Sequence, residues 1–302
     1  MLNIQKIWIL AFGLLLAGCV QSETTSVSVT VFRGHDMVLI PAGPFEMGIE
    51  QPEALAVCRE LFEPYQPEDS QFPACPSFDV WWEGPVHTVV LDEYYIDRYE
   101  VTNSQYAVCV EEGTCSPPLL SSSQTRANYY NDPAFADYPV VFITWSAANT
   151  FCTWRDSRLP SEAEWEKAAR GTDGRLFPWG NDFDGSRLNF CDSNCSEQWA
   201  NTDFDDGYED TAPVDSYPEG QSPYGLFNMG GNVEEWVADW IDNEYYSISP
   251  SESPTGPESG IYRVLRGGSW RGNGSFARAA FREAREPLDK SLYAGFRCAL
   301  SP

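Results

Sequence analysis

Positive charge is scarce in this chain: 19 lysines and arginines stand against 45 aspartates and glutamates, for a formal net charge of −26. A chain of that sign has no global field to draw in a polyanion or an anionic bilayer surface, which excludes nucleic acid as a partner. Histidine is scarcer still, with only His35 and His87. Two imidazoles cannot build a three-histidine metal centre, and both lie far in sequence from Ser269, so a serine-hydrolase arrangement lacks its base. Long hydrophobic runs are also missing. The longest early one, Ile7 to Leu16, falls short of the roughly 20 residues that a bilayer-crossing helix needs. No internal repeat or low-complexity tract is found.

That short run is nevertheless informative, because Lys6 precedes it and Leu16-Ala17-Gly18-Cys19 follows. The pattern resembles a bacterial lipoprotein signal and implies a signal peptide over residues 1–18. Cys19 would carry lipid, residues 19–35 would form a polar tether, and the membrane would be a partner through that lipid. Val20, rather than aspartate, after the cysteine points to the outer membrane of a bacterial cell envelope. With Cys19 assigned to lipid, nine cysteines become eight. An even number in an exported chain points to disulfides over free thiols.

Residues 36–302 are long for one domain yet within the range of a single large one. Aromatic residues, 23 glycines and 22 prolines separate short apolar runs, the texture of a loop-rich α+β domain rather than a helical bundle. Met37 to Gly48 reads as two short strands around a Pro/Gly turn, and Pro85 to Leu91 is strand-like. Thr102 and Gln105 have capping-box spacing, which predicts a helix from Asn103 towards Glu111. A second helix is predicted from near Ser146, carrying Phe151, Cys152 and Trp154 on a core face. Ser161 and Glu164 repeat the capping box, with the helix ending near Gly171. Arg263, Arg266, Arg271, Arg278, Arg282, Arg285 and Arg297 crowd the last forty residues; buried carboxylates are their expected partners, with an anion-binding groove as the alternative.

Several segments resemble one family in order along the chain. They are Met37 to Gly48, Tyr94 to Asn103, Arg158-Leu159-Pro160-Ser161-Glu162-Ala163-Glu164-Trp165-Glu166, Phe177-Pro178-Trp179-Gly180-Asn181, Arg263 to Trp270 and Gly295-Phe296-Arg297-Cys298. Together they resemble the formylglycine-generating enzymes, and the likeness covers nearly everything from Met37 to Leu300. It implies a C-type-lectin-like core. Members of that family oxidise a sulfatase cysteine with two active-site cysteines that bind copper, and here those positions fall on Gly272 and Ala277. Neither residue offers a donor to a soft metal, so no copper is expected and the formylglycine-forming reaction is not expected either. The likeness leaves a candidate binding groove formed by Ser269, Trp270, Arg271, Phe276 and Arg278.

The same resemblance implies two structural calcium ions, a metal that oxygen-rich loops suit. One would be held by the side chains of Asn189 and Asp206 with the carbonyls of Phe190 and Tyr208. The other would use the side chains of Asn228 and Glu235 with the carbonyls of Gly231 and Val233. Cys152 and Cys298 fall where the family has a long-range bridge. Cys109 and Cys115 flank a turn, as do Cys191 and Cys195, so each pair can close a small loop. Cys58 and Cys75 would then pair across an insertion. A zinc site at Cys191-x-x-x-Cys195 is disfavoured, since no second Cys/His pair has zinc-like spacing. A second family disulfide would need cysteines where Ala169 and Arg282 stand. The expected function is non-catalytic binding of a peptide, glycan or protein ligand. The alternative is a copper-independent periplasmic maturation enzyme of the same superfamily, acting on a small peptide-derived substrate.

Overall fold

The structure is a computed structural model that describes residues 27–66, 75 and 81–302. The expected signal peptide and Cys19 lie outside the described residues. Among the described residues, no helix is long and apolar enough to cross a membrane. Strand β1 (Val29–Phe32) turns through Arg33-Gly34 into β2 (His35–Ile40), with both turn residues at positive φ. That is the two-residue hairpin geometry that matches strand twist. The expected tether therefore ends earlier than residue 35, because Val29 to Phe32 already pair in a sheet.

Strands β3 (Gly43–Met47) and β4 (His87–Leu91) form a separate antiparallel pair. Strand β5 (Tyr94–Asp97) joins β2 on one side and β10 (Ala299–Leu300) on the other, giving the order β1-β2-β5-β10. The third sheet runs β8-β7-β6-β9, built from β6 (Glu234–Trp240), β7 (Arg263–Arg266), β8 (Arg282–Arg285) and β9 (Ala294–Gly295). Helix α1 (Gln51–Leu61) lies in the insertion before Cys75, and α2 (Asn103–Glu111) has the predicted Thr102/Gln105 capping box. Helix α3 (Trp145–Trp154) starts one residue before the prediction because Thr144, not a later residue, caps it. Helix α4 (Glu162–Arg170) has the Ser161/Glu164 box and stops at Gly171, φ 72°. A short α5 (Tyr245–Ile248) follows β6.

Every residue of α4 is buried although five of its nine are charged. Burial of charge is tolerated only with matched partners, and each is supplied. Glu162 binds Arg266 and Arg282, and Glu166 binds Arg266 and Arg170. Lys167 donates to the Pro41 and Gly43 carbonyls, while Glu164 pairs with Arg158. Burial alone would raise the Glu162 carboxyl, but the two guanidiniums prevail and hold it below the usual carboxylate range. The apolar face of α4, with Trp165 and Ala168, packs beside Val237 and Val264 from β6 and β7. The C-terminal arginines are thus mostly fold elements, with Arg297 bidentate on Glu235.

Four disulfides close: Cys58–Cys75, Cys109–Cys115, Cys152–Cys298 and Cys191–Cys195. They are unequal staples. In the chain-entropy model the bridge across 146 residues from α3 to the C-terminus contributes about 5 kcal/mol, against about 2 kcal/mol for the four-residue separation of Cys191 and Cys195. Where the second family bridge is missing, Ala169 sits in the apolar core and Arg282 is held by Glu162.

Candidate functional site

Strand β7 leads into the segment that the sequence singles out. Gly267 takes φ 72°, and a side chain on Gly268 would come within 3.1 Å of the Gly230 carbonyl and 3.2 Å of the Phe276 carbonyl. The chain can fold back so tightly only with glycine there. The Trp270 N–H donates to the Asn232 carbonyl, and the Gly272 N–H to Ser269 O. Asn273 then caps a 3-10 turn, Gly274–Ala277, by accepting from the Ser275 N–H.

Neither Gly272 nor Ala277, the two positions expected to correspond to the family's cysteines, borders vacant space. Ala277 is 1% exposed, packed with Val57, Phe177, Leu188 and Phe190. A Cβ on Gly272 would lie 3.0 Å from the Phe276 ring. Two insertions cap the segment. Helix α1 packs on the 3-10 turn from one side. From the other, the Cys191 N–H donates to the Gly272 carbonyl at 2.8 Å, Trp199 Nε1 donates to the Arg271 carbonyl at 3.2 Å, and Glu197 pairs with Arg271 at 2.5 Å. Tyr65 and Asp203 join the two halves at 2.7 Å. A cavity of about 290 Å3 opens beside α1, lined by Val57, Leu61, Phe177 and Phe183 among others.

The five expected groove residues are not equivalent. Arg271 and Phe276 are partly exposed, with Phe276 stacked on Phe281. Ser269 and Trp270 are buried. Arg278 is corrected outright: it is 1% exposed, and its guanidinium is taken up by Glu83 at 2.6 Å, so it belongs to the core. No imidazole serves Ser269, since His35 packs on Phe151 and His87 on Tyr246.

The two oxygen-rich sets also differ. In the first, the Asn189 side-chain amide donates to the Asp210 carbonyl and to Asn232, leaving its buried Oδ1 without a partner. Asp206 lies alongside and accepts the Phe190 N–H at 3.0 Å and the Tyr208 N–H at 2.9 Å. Its carboxyl is pushed up to about 7, chiefly by burial and further by Asp192. An orphaned amide oxygen beside a carboxylate that has no cationic side chain fits a hard divalent cation. Among the described residues, no cluster of three or more His, Cys, Asp or Glu side chains is placed to hold a metal. A cation there would thus rest on amide and carbonyl oxygens as much as on carboxylates.

In the second set, both Glu235 oxygens are engaged by Arg297 at 2.7 Å, and Oε2 also accepts from Trp165 Nε1. Asn228 donates to Glu100 and to the Val214 carbonyl, while Gly231 and Val233 are buried around it. The Asn228 and Asn232 amides clamp Glu100, a carboxylate pushed up to about 7 by burial against the pull of Arg297. A carboxylate neutralised by arginine fits a divalent ion less well than the first set does. Sequence reading missed Glu100, Asp192, Glu197, Trp199 and helix α1. For Asp192 to Trp199 a signal was present in the Cys191/Cys195 spacing; for Glu100 none was.

With this geometry in view, the matches to known proteins are decisive. A model of the sulfatase-modifying factor enzyme 1-like domain matches residues 22–302, and the chain belongs to that family. It is 34% identical over 309 residues to the formylglycine-generating enzyme of Thermomonospora curvata, covering 88% of this chain and 93% of that one. It is 38% identical over 239 residues to the serine/threonine-protein kinase pkn1 of Chlamydia caviae, covering 72% of this chain. The chain spans about a third, 34%, of the length of that kinase. Among solved structures, PvdO from Pseudomonas aeruginosa superimposes with a TM-score of 0.64 at 26% identity, covering 89% of this chain and 95% of that one. The fold is thus the mixed α+β, C-type-lectin-like fold of formylglycine-generating enzymes.

Proposed function

We propose that this protein is a lipid-anchored envelope protein whose domain binds a peptide, glycan or protein partner and does not form formylglycine. One observation carries the reading: the scaffold is kept, while the two thiol positions are Gly272 and Ala277, one crowded by Phe276 and the other packed into an aromatic core. Without a thiolate there is neither a soft-metal ligand nor a redox atom at this place. Arg271 and Phe276, the partly exposed parts of the segment, offer a guanidinium and an aromatic edge, a pairing favoured at recognition surfaces.

Calcium in the first oxygen-rich set would be structural in this reading, pinning the 189–208 loop that also caps the segment. When bound, it would supply a fixed double charge to that loop; Asn189 and Asp206 would orient it, and the Phe190 and Tyr208 carbonyls would complete the cage. Incubation of the protein with a cysteine-containing sulfatase peptide, copper and oxygen tests the main claim. Mass spectrometry should find the cysteine unchanged; formylglycine in the peptide would overturn the reading. Crosslinking in the native envelope should capture a partner that Arg271→Ala and Phe276→Ala together release.

A further inference from the structure

The four disulfides stand in different surroundings. Cys109, Cys115, Cys152 and Cys298 are all buried, while Cys58–Cys75, like Cys191–Cys195, joins a buried residue to a partly exposed one. In Cys191–Cys195, Cys191 is buried, but Cys195 is partly exposed. The ring it closes sits at the root of the segment that hides the Gly272 and Arg271 backbone. Cys191 itself donates to the Gly272 carbonyl. Its own carbonyl accepts the Asn201 N–H, so the ring also fixes where the returning strand of the loop lies.

Residues 193–200 contain no helix or strand; a single bridge, Asp192 with Asn201, frames them. Within the frame, Trp199 and Glu197 both reach Arg271. Inside the ring, the Asp192 carboxylate accepts the Asn194 N–H, a local turn bond that competes weakly with solvent. The Ser193 N–H also reaches the Phe204 carbonyl, the Cys195 N–H the Asp192 carbonyl and the Asn194 side chain Asp205, so ring closure adds to a set of single, local bonds.

We propose that the Cys191–Cys195 disulfide is a thiol–disulfide exchange site that takes a dithiol as reductant, and that its reduction uncovers the Arg271–Gly272 segment. A thiolate of the dithiol attacks Sγ of the partly exposed Cys195, and the S–S bond breaks. Cys191 leaves as a thiolate and takes up a proton. The second thiolate of the donor then attacks the mixed disulfide and departs as the oxidised donor, while Cys195 takes up a proton. Two electrons pass from the dithiol to the protein, and no other reactant is required. The use of the uncovered surface rests on the binding reading above; the exchange and the uncovering do not.

The test uses the intact protein without any ligand, titrated with dithiothreitol at graded concentrations. Differential alkylation with mass spectrometry reads each cysteine, and amide hydrogen exchange reads Cys191 and residues 269–277. Cys191 and Cys195 should become alkylatable at dithiol concentrations that leave Cys109–Cys115 and Cys152–Cys298 closed. The Cys191 amide and the 269–277 peptide should then exchange several-fold faster. The Cys191→Ser/Cys195→Ser variant should show the fast exchange with no reductant, at a melting temperature close to that of the wild type. Reduction no earlier than that of Cys152–Cys298 would overturn the exchange site. Early reduction with unchanged exchange would overturn the uncovering. Either failure leaves the crosslinking test of partner binding intact, so the two readings fall separately.

Discussion

Arg266 and Arg271 stand five residues apart, and the protein uses them in opposite ways. The Arg266 side chain is 0% exposed and donates to Glu162, Glu166 and the carbonyls of Ala279 and Ala280. The Arg271 side chain is 38% exposed, tied to one glutamate of the cap and lying over the Tyr293 ring. A guanidinium in the interior must have nearly all its donors matched, and so it dictates one arrangement of α4, β7 and β8. A guanidinium at the surface exchanges its partner with water at small cost, and so remains open to another. From the end of β7 into the loop after it, the protein passes from the part that defines its fold to the part free to vary.

The comparison breaks most severely at the inner arginine. Arg266→Ala leaves Glu162 to Arg282 and Glu166 to Arg170 alone and empties a guanidinium site in the interior, which should cost about 3 kcal/mol, measured by urea unfolding; a loss below about 1 kcal/mol would mean that the remaining arginines suffice. Cys152→Ala with Cys298→Ala should follow closely, within the roughly 2–5 kcal/mol seen when a native bridge is removed. Chelation comes next. Excess chelator should lower the melting temperature of the wild type, and Asp206→Asn should abolish most of that shift. An unchanged melting curve would count against a bound cation. At the other end, Arg271→Ala should change stability by less than about 1 kcal/mol, while raising amide exchange in residues 191–201.

A pH series separates the two regions again. Asp239, buried and bonded to the Glu162 N–H, has its carboxyl pushed up to about 8, first by burial and then by the Glu162 charge. Its unfolded value is about 3.9. Stability from keeping this carboxyl protonated is fully present below that value and is lost as pH rises through about 8. The melting temperature should therefore fall as pH rises from about 5 to about 8, and Asp239→Asn should flatten the fall. The cap contributes to the same fall through Asp206, whose carboxyl is pushed up to about 7, and Asp206→Asn separates its share from that of Asp239.

Much of the inner region was legible in the residues themselves. Capping boxes at Thr102 and Ser161 depend on local spacing, and both helices begin where that spacing puts them. The buried partners of the C-terminal arginines followed from the cost of an unpaired interior charge. The cap was not legible, because its ties link backbone groups far apart in sequence. Nothing in Gln51 to Leu61 announces that this helix will rest on Ala277, and nothing at Trp199 announces the Arg271 carbonyl. Arg278 misled for the opposite reason: it sits in the recognisable segment, yet its partner is Glu83, 195 residues away.

The Phe276 ring, stacked on Phe281 and 3.0 Å from where a Gly272 side chain would begin, would have to give by a few tenths of an ångström to admit one. Cysteine at 277 would enter a packed interior. Variation in this segment is therefore cheapest outward, at its partly exposed side chains.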